Sequence, residues 1–137
     1  EELGGIDVPV TTVDETVNSL ELNHVNFIKI DVEGGELGVL QGATNTLQRD
    51  RPLLVFEVNV FCLWRYGRTL PQDLFAWVRE RYPYTAVIDS NAEITHIEGD
   101  ATVNHVLNLL GAGGSVIDVV ASHEPIDVTT DDLQSAL

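Results

Sequence analysis

The stretch FIKIDVEGGEL, residues Phe27 to Leu37, decides how this chain is read. Apolar residues flank Lys29 and run into Asp31, Gly34 and Gly35 break the run, and Glu36 opens a segment with helical spacing. A short apolar run that ends at glycines reads as a strand, here Val25 to Asp31. Glu36 to Arg49 then reads as a helix that gathers Leu37, Leu40, Ala43, Thr44 and Leu47 on one face, weakened at Gly38 and Gly42 by about 1 kcal/mol each relative to alanine. Pro52 to Asn59 (PLLVFEVN) is a second near-continuous apolar strand. Two such strands joined by a helix imply a parallel, right-handed βαβ unit with helices over both faces.

Working outward, Ile6 to Val10 reads as a short strand, and TTVDETVNSL as a helix in which Thr12 and Glu15 have the spacing of a capping box. Phe61 to Thr69 is irregular and aromatic. LPQDLFAWVRERY starts a helix, with Pro71 in its first turn and Asp73 near the positive end of the helix dipole. Thr85 to Ile88 and Glu93 to Ile97 read as strands, and the turn formers Asp89 to Ala92 between them predict a hairpin. Asp100 is placed to cap a helix from Ala101 to Leu110, which Gly111, Gly113 and Gly114 end. Ser115 to Ala121 reads as the last strand of a domain over 1–121, and 122–137 as a tail, either a short helix or disordered. The order β-α-β-α-β-α-β-β-α-β predicts an open α/β sheet, mostly parallel, with an antiparallel edge.

The 137 residues fit one domain, and 44% of them are hydrophobic. Acids number 22 against 7 basic residues, for a net charge of −15, and Lys29 is the only lysine. Such a field repels nucleic acid and anionic membranes, so neither is expected as a partner. The acids are dispersed rather than gathered in a tail, a pattern like that of haloarchaeal proteins, in which salt relieves self-repulsion. No apolar run reaches the roughly 18 residues of a membrane span and no signal peptide stands at the start, which leaves a cytoplasmic domain as the expectation. Cys62 is the only cysteine and there is no methionine, so residue 1 is read as an internal start.

Ligands of open parallel sheets bind at the carboxyl ends of the strands. Asp31 and Glu33 lie at the end of one strand, and Glu57 and Asn59 at the end of the next. If the strands are neighbours, these side chains share a crevice. Adjacent carboxylates raise one another's proton affinity, which suits a general base, and they can also hold a hard cation. Capping of the next helix is the competing reading, and it suits Glu36 best. Trp64, Arg65, Tyr66 and Arg68 form part of a candidate binding pocket, because aromatic faces suit sugar rings and arginine anchors carboxylate or phosphate; packing under a loop competes. His24, His96, His105 and His123 show no close ligand pair and read as structural or solvated. Lys29 and Trp77 read as structural, and Cys62 has no base beside it that would make it a nucleophile.

Three blocks, VPVTTVDETV, NFIKIDVEGGELGVLQGA and RPLLVFEVN, spanning Val8 to Asn59, together resemble the C-terminal half of the FkbM-type methyltransferases. The resemblance implies a Rossmann-like class I methyltransferase sheet, S-adenosylmethionine as donor and a hydroxyl acceptor on a sugar or secondary metabolite. It places Asp31 near the transferred methyl, with Val32 and Gly34 beside the cofactor, and Glu33 and Glu57 near the acceptor hydroxyl. Asn59, Trp64 and Arg65 fall on the acceptor side, and no metal is assigned. The glycine-rich cofactor loop and the first strands of such a fold belong before residue 1. Gly111 to Gly114 does not replace that loop, since it follows a helix and lacks the G-x-G-x-x-G spacing. The expectation is therefore half a domain, active as an O-methyltransferase once completed, or else a non-catalytic remnant or interaction domain completed by a partner or a second copy across an exposed strand edge. The phrase IKID also occurs in cyclic-dinucleotide phosphodiesterase barrels, but the further metal-binding acids of those enzymes are missing.

Overall fold

Thr12 starts the first helix as its spacing predicts. In the structure, a computed structural model that describes residues 6–111 and 116–127, Thr12 Oγ1 accepts the Glu15 amide at 3.1 Å and Glu15 Oε2 accepts the Thr12 amide at 3.0 Å. This reciprocal cap satisfies two amide donors that helix α1 (Val13–Ser19) leaves without partners. The residues before it, Ile6 to Val10, are exposed and belong to no strand, contrary to expectation. Their apolar side chains have no sheet position to occupy.

Strand β1 is Phe27–Ile30. The single helix expected from Glu36 to Arg49 is two, α2 (Glu36–Gln41) and α3 (Thr44–Asp50). The cause of the break is α1. A side chain on Gly42 would press on Thr12, and the Gly42 carbonyl accepts the Asp14 amide at 3.0 Å. The Asp14 carboxylate accepts the amides of Asn45 and Thr46 at 3.0 and 2.8 Å, at the start of α3. These bonds hold the Asp14 carboxyl below the usual range against its partial burial.

Strand β2 (Leu53–Asn59) leads into one turn of helix, α4 (Val60–Cys62), and then a π-helical turn at Leu63–Gly67. Helix α5 (Pro71–Arg79) carries its proline at the start. Strands β3 (Tyr84–Ile88) and β4 (Ile94–His96) form the expected hairpin, whose turn is held by the Asp89 carboxylate accepting the Asn91 and Glu93 amides at 2.8 and 2.9 Å. Helix α6 (Asp100–Gly111) contains Asp100 in its first turn, and strand β5 is Val116–Ser122. The reading of a C-terminal tail falls largely on 128–137, and that of a glycine stop largely on 112–115, both outside the described residues.

The strand order is β1-β2-β5-β3-β4. Among the described strands only β1 and β2 pair in parallel; β5 runs antiparallel to both β2 and β3, and β4 antiparallel to β3. The sheet is therefore mixed α/β rather than mostly parallel, and an antiparallel strand lies inside it. The hairpin explains this. It leaves the chain at the amino end of the sheet, α6 returns it to the carboxyl end, and β5 then runs down against its neighbours. Strands β1, β2 and β3 still point the same way.

Side chains alternate along each strand. Ile30, Leu54, Phe56, Val58, Val87, Ile117, Val119 and Ala121 face a core to which α2, α3, α5 and α6 contribute Leu40, Leu47, Leu74, Phe75, Val78, Val103 and Val106. Residues such as Leu54 and Phe56, which are fully buried, contribute about 1.5–3 kcal/mol each. The other face is half open, with Phe27 52%, Leu53 40% and Tyr84 42% exposed. The expectation of helices over both faces is thus corrected. The run PLLVFEVN is apolar at both parities, but only its even-numbered positions are fully buried.

Candidate functional site

The parallel register that sets Ile30 beside Phe56 carries both chains on to their carboxyl ends together. There Asp31, Glu33 and Glu57 each bring a carboxylate oxygen within 4.8 Å of the others. The convergence anticipated from spacing is therefore present for these three carboxylates. Asp31 and Glu33 are exposed and Glu57 is half-buried. Burial pushes the Glu57 carboxyl above its usual range, the charges of Asp31, Glu33 and Asp118 push it further, and Lys29 pulls it back. A carboxylate with raised proton affinity, half-sheltered beside open solvent, is suited to take a proton from a hydroxyl. Three carboxylate oxygens this close together also suit the preference of a hard divalent cation for oxygen ligands.

A tight turn presents Glu33. Its φ of 52° is left-handed and Gly34 follows at 108°. A side chain on Gly34 would collide with the Cys62 carbonyl oxygen, and one on Gly67 with the Gly34 carbonyl oxygen. Two bare backbones thus lie against each other, which locks the 32–35 turn to the segment that follows β2. Glu36 braces the turn from below. Only 2% exposed, it accepts the Gly34 amide at 3.0 Å and the Val32 amide at 3.4 Å through Oε1, while Oε2 has no partner. The expected first-turn acid is also a brace for its neighbours.

Asn59 caps α4, its Oδ1 accepting the Cys62 amide at 3.2 Å. The Cys62 thiol is buried and hydrogen-bonds Glu33; that bond, and burial after it, push the thiol up to about 11. It stays protonated at neutral pH: an acid does stand beside it, contrary to the expectation of none, but it holds the proton on the thiol. Beyond it the π-helical turn exposes an aromatic group. Trp64 is 66% exposed, the Phe61 and Tyr66 rings meet edge to face at 6.4 Å, and the Arg65 guanidinium lies 5.5 Å from the Tyr66 ring centre.

Two residues were not singled out for this site. Asp118, on β5 directly opposite Glu57, pairs with Lys29 at 3.4 Å across the open face. A lone acid in the apolar run SVIDVVA was the available signal, but nothing local linked it to residues some sixty positions earlier. Lys29 is the cation that tempers Glu57. None of the histidines joins it: His24 lies 3.3 Å from Asp50, and His123 stacks on Tyr82 at 4.6 Å.

Of the residues the resemblance gives to a cofactor, Asp31 and Val32 present exposed side chains at the lip. The Gly34 amide is held by Glu36 and its bare face is filled by the chain itself. Among the described residues, then, the Gly34 turn is closed by the chain itself and forms no glycine cradle for a cofactor.

Three carboxylates at the ends of two parallel strands, beside an exposed aromatic turn, mark the candidate site of this α/β protein. The chain belongs to the FkbM methyltransferases: the sequence model of the methyltransferase FkbM domain matches residues 1–84. It is also similar to the hexuronic acid methyltransferase AglP of Haloferax volcanii, 47% identical over 96 residues that cover 70% of this chain and 37% of that protein. The chain thus matches little more than a third of this relative's length. No solved structure matches it significantly.

Proposed function

We propose that this chain is the acceptor-side portion of an S-adenosylmethionine-dependent O-methyltransferase that acts on a sugar hydroxyl, with a hexuronic acid as the favoured acceptor. The observation that carries this reading is the meeting of Asp31, Glu33 and Glu57 at the carboxyl ends of β1 and β2. S-adenosylmethionine supplies a methyl group activated on a sulfonium sulfur. Glu57 takes the proton of the acceptor hydroxyl as its oxygen is methylated, aided by its raised proton affinity. Asp31 and Glu33 orient the hydroxyl, and Trp64 and Tyr66 offer faces to the sugar ring. Arg65, with Arg68, gives a uronate carboxylate a counter-charge that the acidic crevice lacks. In this reading the sheet is the later part of a class I methyltransferase sheet, and the donor's glycine loop lies in sequence outside these residues. The strong negative charge keeps nucleic acid and membrane surfaces away, and no described helix is long and apolar enough to cross a membrane. We place the protein in the cytoplasm. Dispersed acids and a relative from a halophile support salt-dependent stability, which a melting series up to molar salt tests.

The test is methyl transfer from labelled S-adenosylmethionine to a hexuronic acid glycoside, by a protein that extends this chain upstream. Transfer that Glu57→Gln abolishes supports the proposal, and transfer indifferent to both Glu57→Gln and Asp31→Asn defeats it. Calorimetric titration of this chain alone with S-adenosylmethionine, in high salt and with and without magnesium, should show no tight binding. Tight binding would place the donor site within these residues.

A second reading, a non-catalytic domain completed by a second copy, draws on the half-open face and on the outer edge of β1, which pairs with no described strand. Sedimentation separates the two: a stable dimer that binds no S-adenosylmethionine even when extended upstream favours the second.

A further inference from the structure

At the other end of the sheet, where α3 and α5 finish and β5 leaves, lies a cavity of about 320 Å³ lined by Thr44, Leu47, Gln48, Arg51, Arg81, Tyr82 and His123. This is the lower end of the size range of small-molecule sites. Two of the chain's seven cationic side chains line it and no carboxylate does, although acids outnumber bases 22 to 7. Arg51 makes no ion pair or side-chain hydrogen bond among the described residues. Its backbone is left-handed, at φ 50°, a place where glycine or asparagine sits at less cost. Arg81 is held from behind: it stacks on Trp77 at 4.0 Å, donates to the Trp77 carbonyl at 2.9 Å and meets Glu80 at 3.1 Å. Tyr82 is 1% exposed, yet its hydroxyl has no hydrogen-bond partner. On a residue that lines the same cavity as two arginines, a buried hydroxyl without a partner is a donor lacking an acceptor.

We propose that this cavity binds the anionic group, phosphate or carboxylate, of a small polar molecule, with Arg51 and Arg81 as counter-charges and Tyr82, Gln48 and Thr44 as hydrogen-bonding partners. Planar guanidinium suits both oxyanions. Burial, and after it the Arg51 charge, hold His123 below the usual imidazole range against the pull of Glu124. At neutral pH the arginines therefore supply the charge and His123 a neutral partner. The site is separate from the acid crevice: Asp31 and Glu57 stand at the carboxyl ends of β1 and β2, whereas Arg51 precedes β2, Tyr82 precedes β3 and His123 follows the antiparallel β5. A ligand here anchors or regulates and does not react.

The test is titration of the ¹⁵N-labelled chain, at constant ionic strength, with inorganic phosphate, glucose 6-phosphate and glucuronate in separate arms. The expected result is saturable amide shifts confined to the neighbourhood of Arg51, Tyr82 and His123. Saturation by both phosphates but not glucuronate assigns a phosphate ligand, and the reverse a carboxylate. Arg51→Gln should weaken the binding about tenfold or more. Tyr82→Phe removes a hydroxyl with no partner, so it should weaken binding several-fold while leaving the melting temperature undiminished. Shifts that stay linear in all three arms, that spread over the surface, or that persist unchanged in both variants overturn the proposal.

Discussion

The two ends of the sheet use the same chemical group, a carboxylate, in opposite ways. At the amino end, Asp50 is buried and accepts Arg49 at 2.6 and 2.7 Å and the Val25 amide at 2.9 Å. The Arg49 hydrogen bond, working against burial, holds its carboxyl down at about 2. At the carboxyl end Glu57 has no such partner and three acidic neighbours, and its carboxyl is held up. A carboxylate given cations and amides serves the fold, whereas one left among its own kind is costly to ionise and available for chemistry. The contrast separates structural acids from candidate functional ones in a chain where acids are everywhere.

The largest effect should come from removing the unpaired charge. Glu57→Gln in the upstream-extended protein should cost about 10²–10⁴-fold in methyl-transfer rate. The same change should raise stability. The folded chain binds the Glu57 proton more tightly than the unfolded chain, whose value is near 4.5. This group's contribution therefore falls as pH rises through the folded value, and above it the ionised form is a net cost that glutamine removes. Lower activity together with a higher melting temperature at neutral pH is the expected signature; a parallel fall in both would make Glu57 structural, like Asp50.

Next in size is the geometry that presents the cluster. Gly34→Ala sets a side chain against the Cys62 carbonyl at a left-handed φ and should cost about 3 kcal/mol or more in chemical denaturation. A cost below 1 kcal/mol would mean that the turn and the aromatic segment are not locked together. At the other end, Asp50→Asn should cost about 2 kcal/mol at neutral pH. Because the Asp50 carboxyl is held down, its contribution is complete above about 3.8 and is lost as pH falls through about 2. The gap between the denaturation midpoints of wild type and variant should accordingly close on acidification. The smallest effect is a control at neither end: Gly38→Ala, in α2 with open space around the new methyl, should gain about 0.5–1 kcal/mol.

Much of this could be read from local signals. The capping box at Thr12 and Glu15, the Pro71 helix start, the Asp89 turn and the convergence of Asp31, Glu33 and Glu57 each depend on residues close in sequence or on two adjacent strands. What could not be read depends on distant partners. Gly42 looks like a weak helix position until Thr12 and Asp14 are placed against it. Leu53 and Val55 look like interior residues until one sheet face is found half open. The π-helical turn at Leu63 to Gly67 follows from the contact of Gly67 with Gly34, which no periodicity announces. Asp118 faces Glu57 only because β5 enters the sheet beside β2.

That placement of β5 bears on how the molecule assembles. Strand β1 with β2, and β3 with β4, are pairs that a growing chain can form early from near neighbours. The strand that joins the two pairs is made after both, and its partner β2 lies some sixty residues back. Until it arrives, Phe56 and Val58 on one side and Ala86 and Val87 on the other lack the neighbour that completes their burial, and two strand edges stand unpaired. Folding should therefore wait on Val116 to Ser122 and then proceed in one cooperative step, slowed by the closure of that long loop. A released chain truncated before this strand should be sensitive to protease along most of its length, and one extended through Ser122 should be protected over nearly all of its described residues at once.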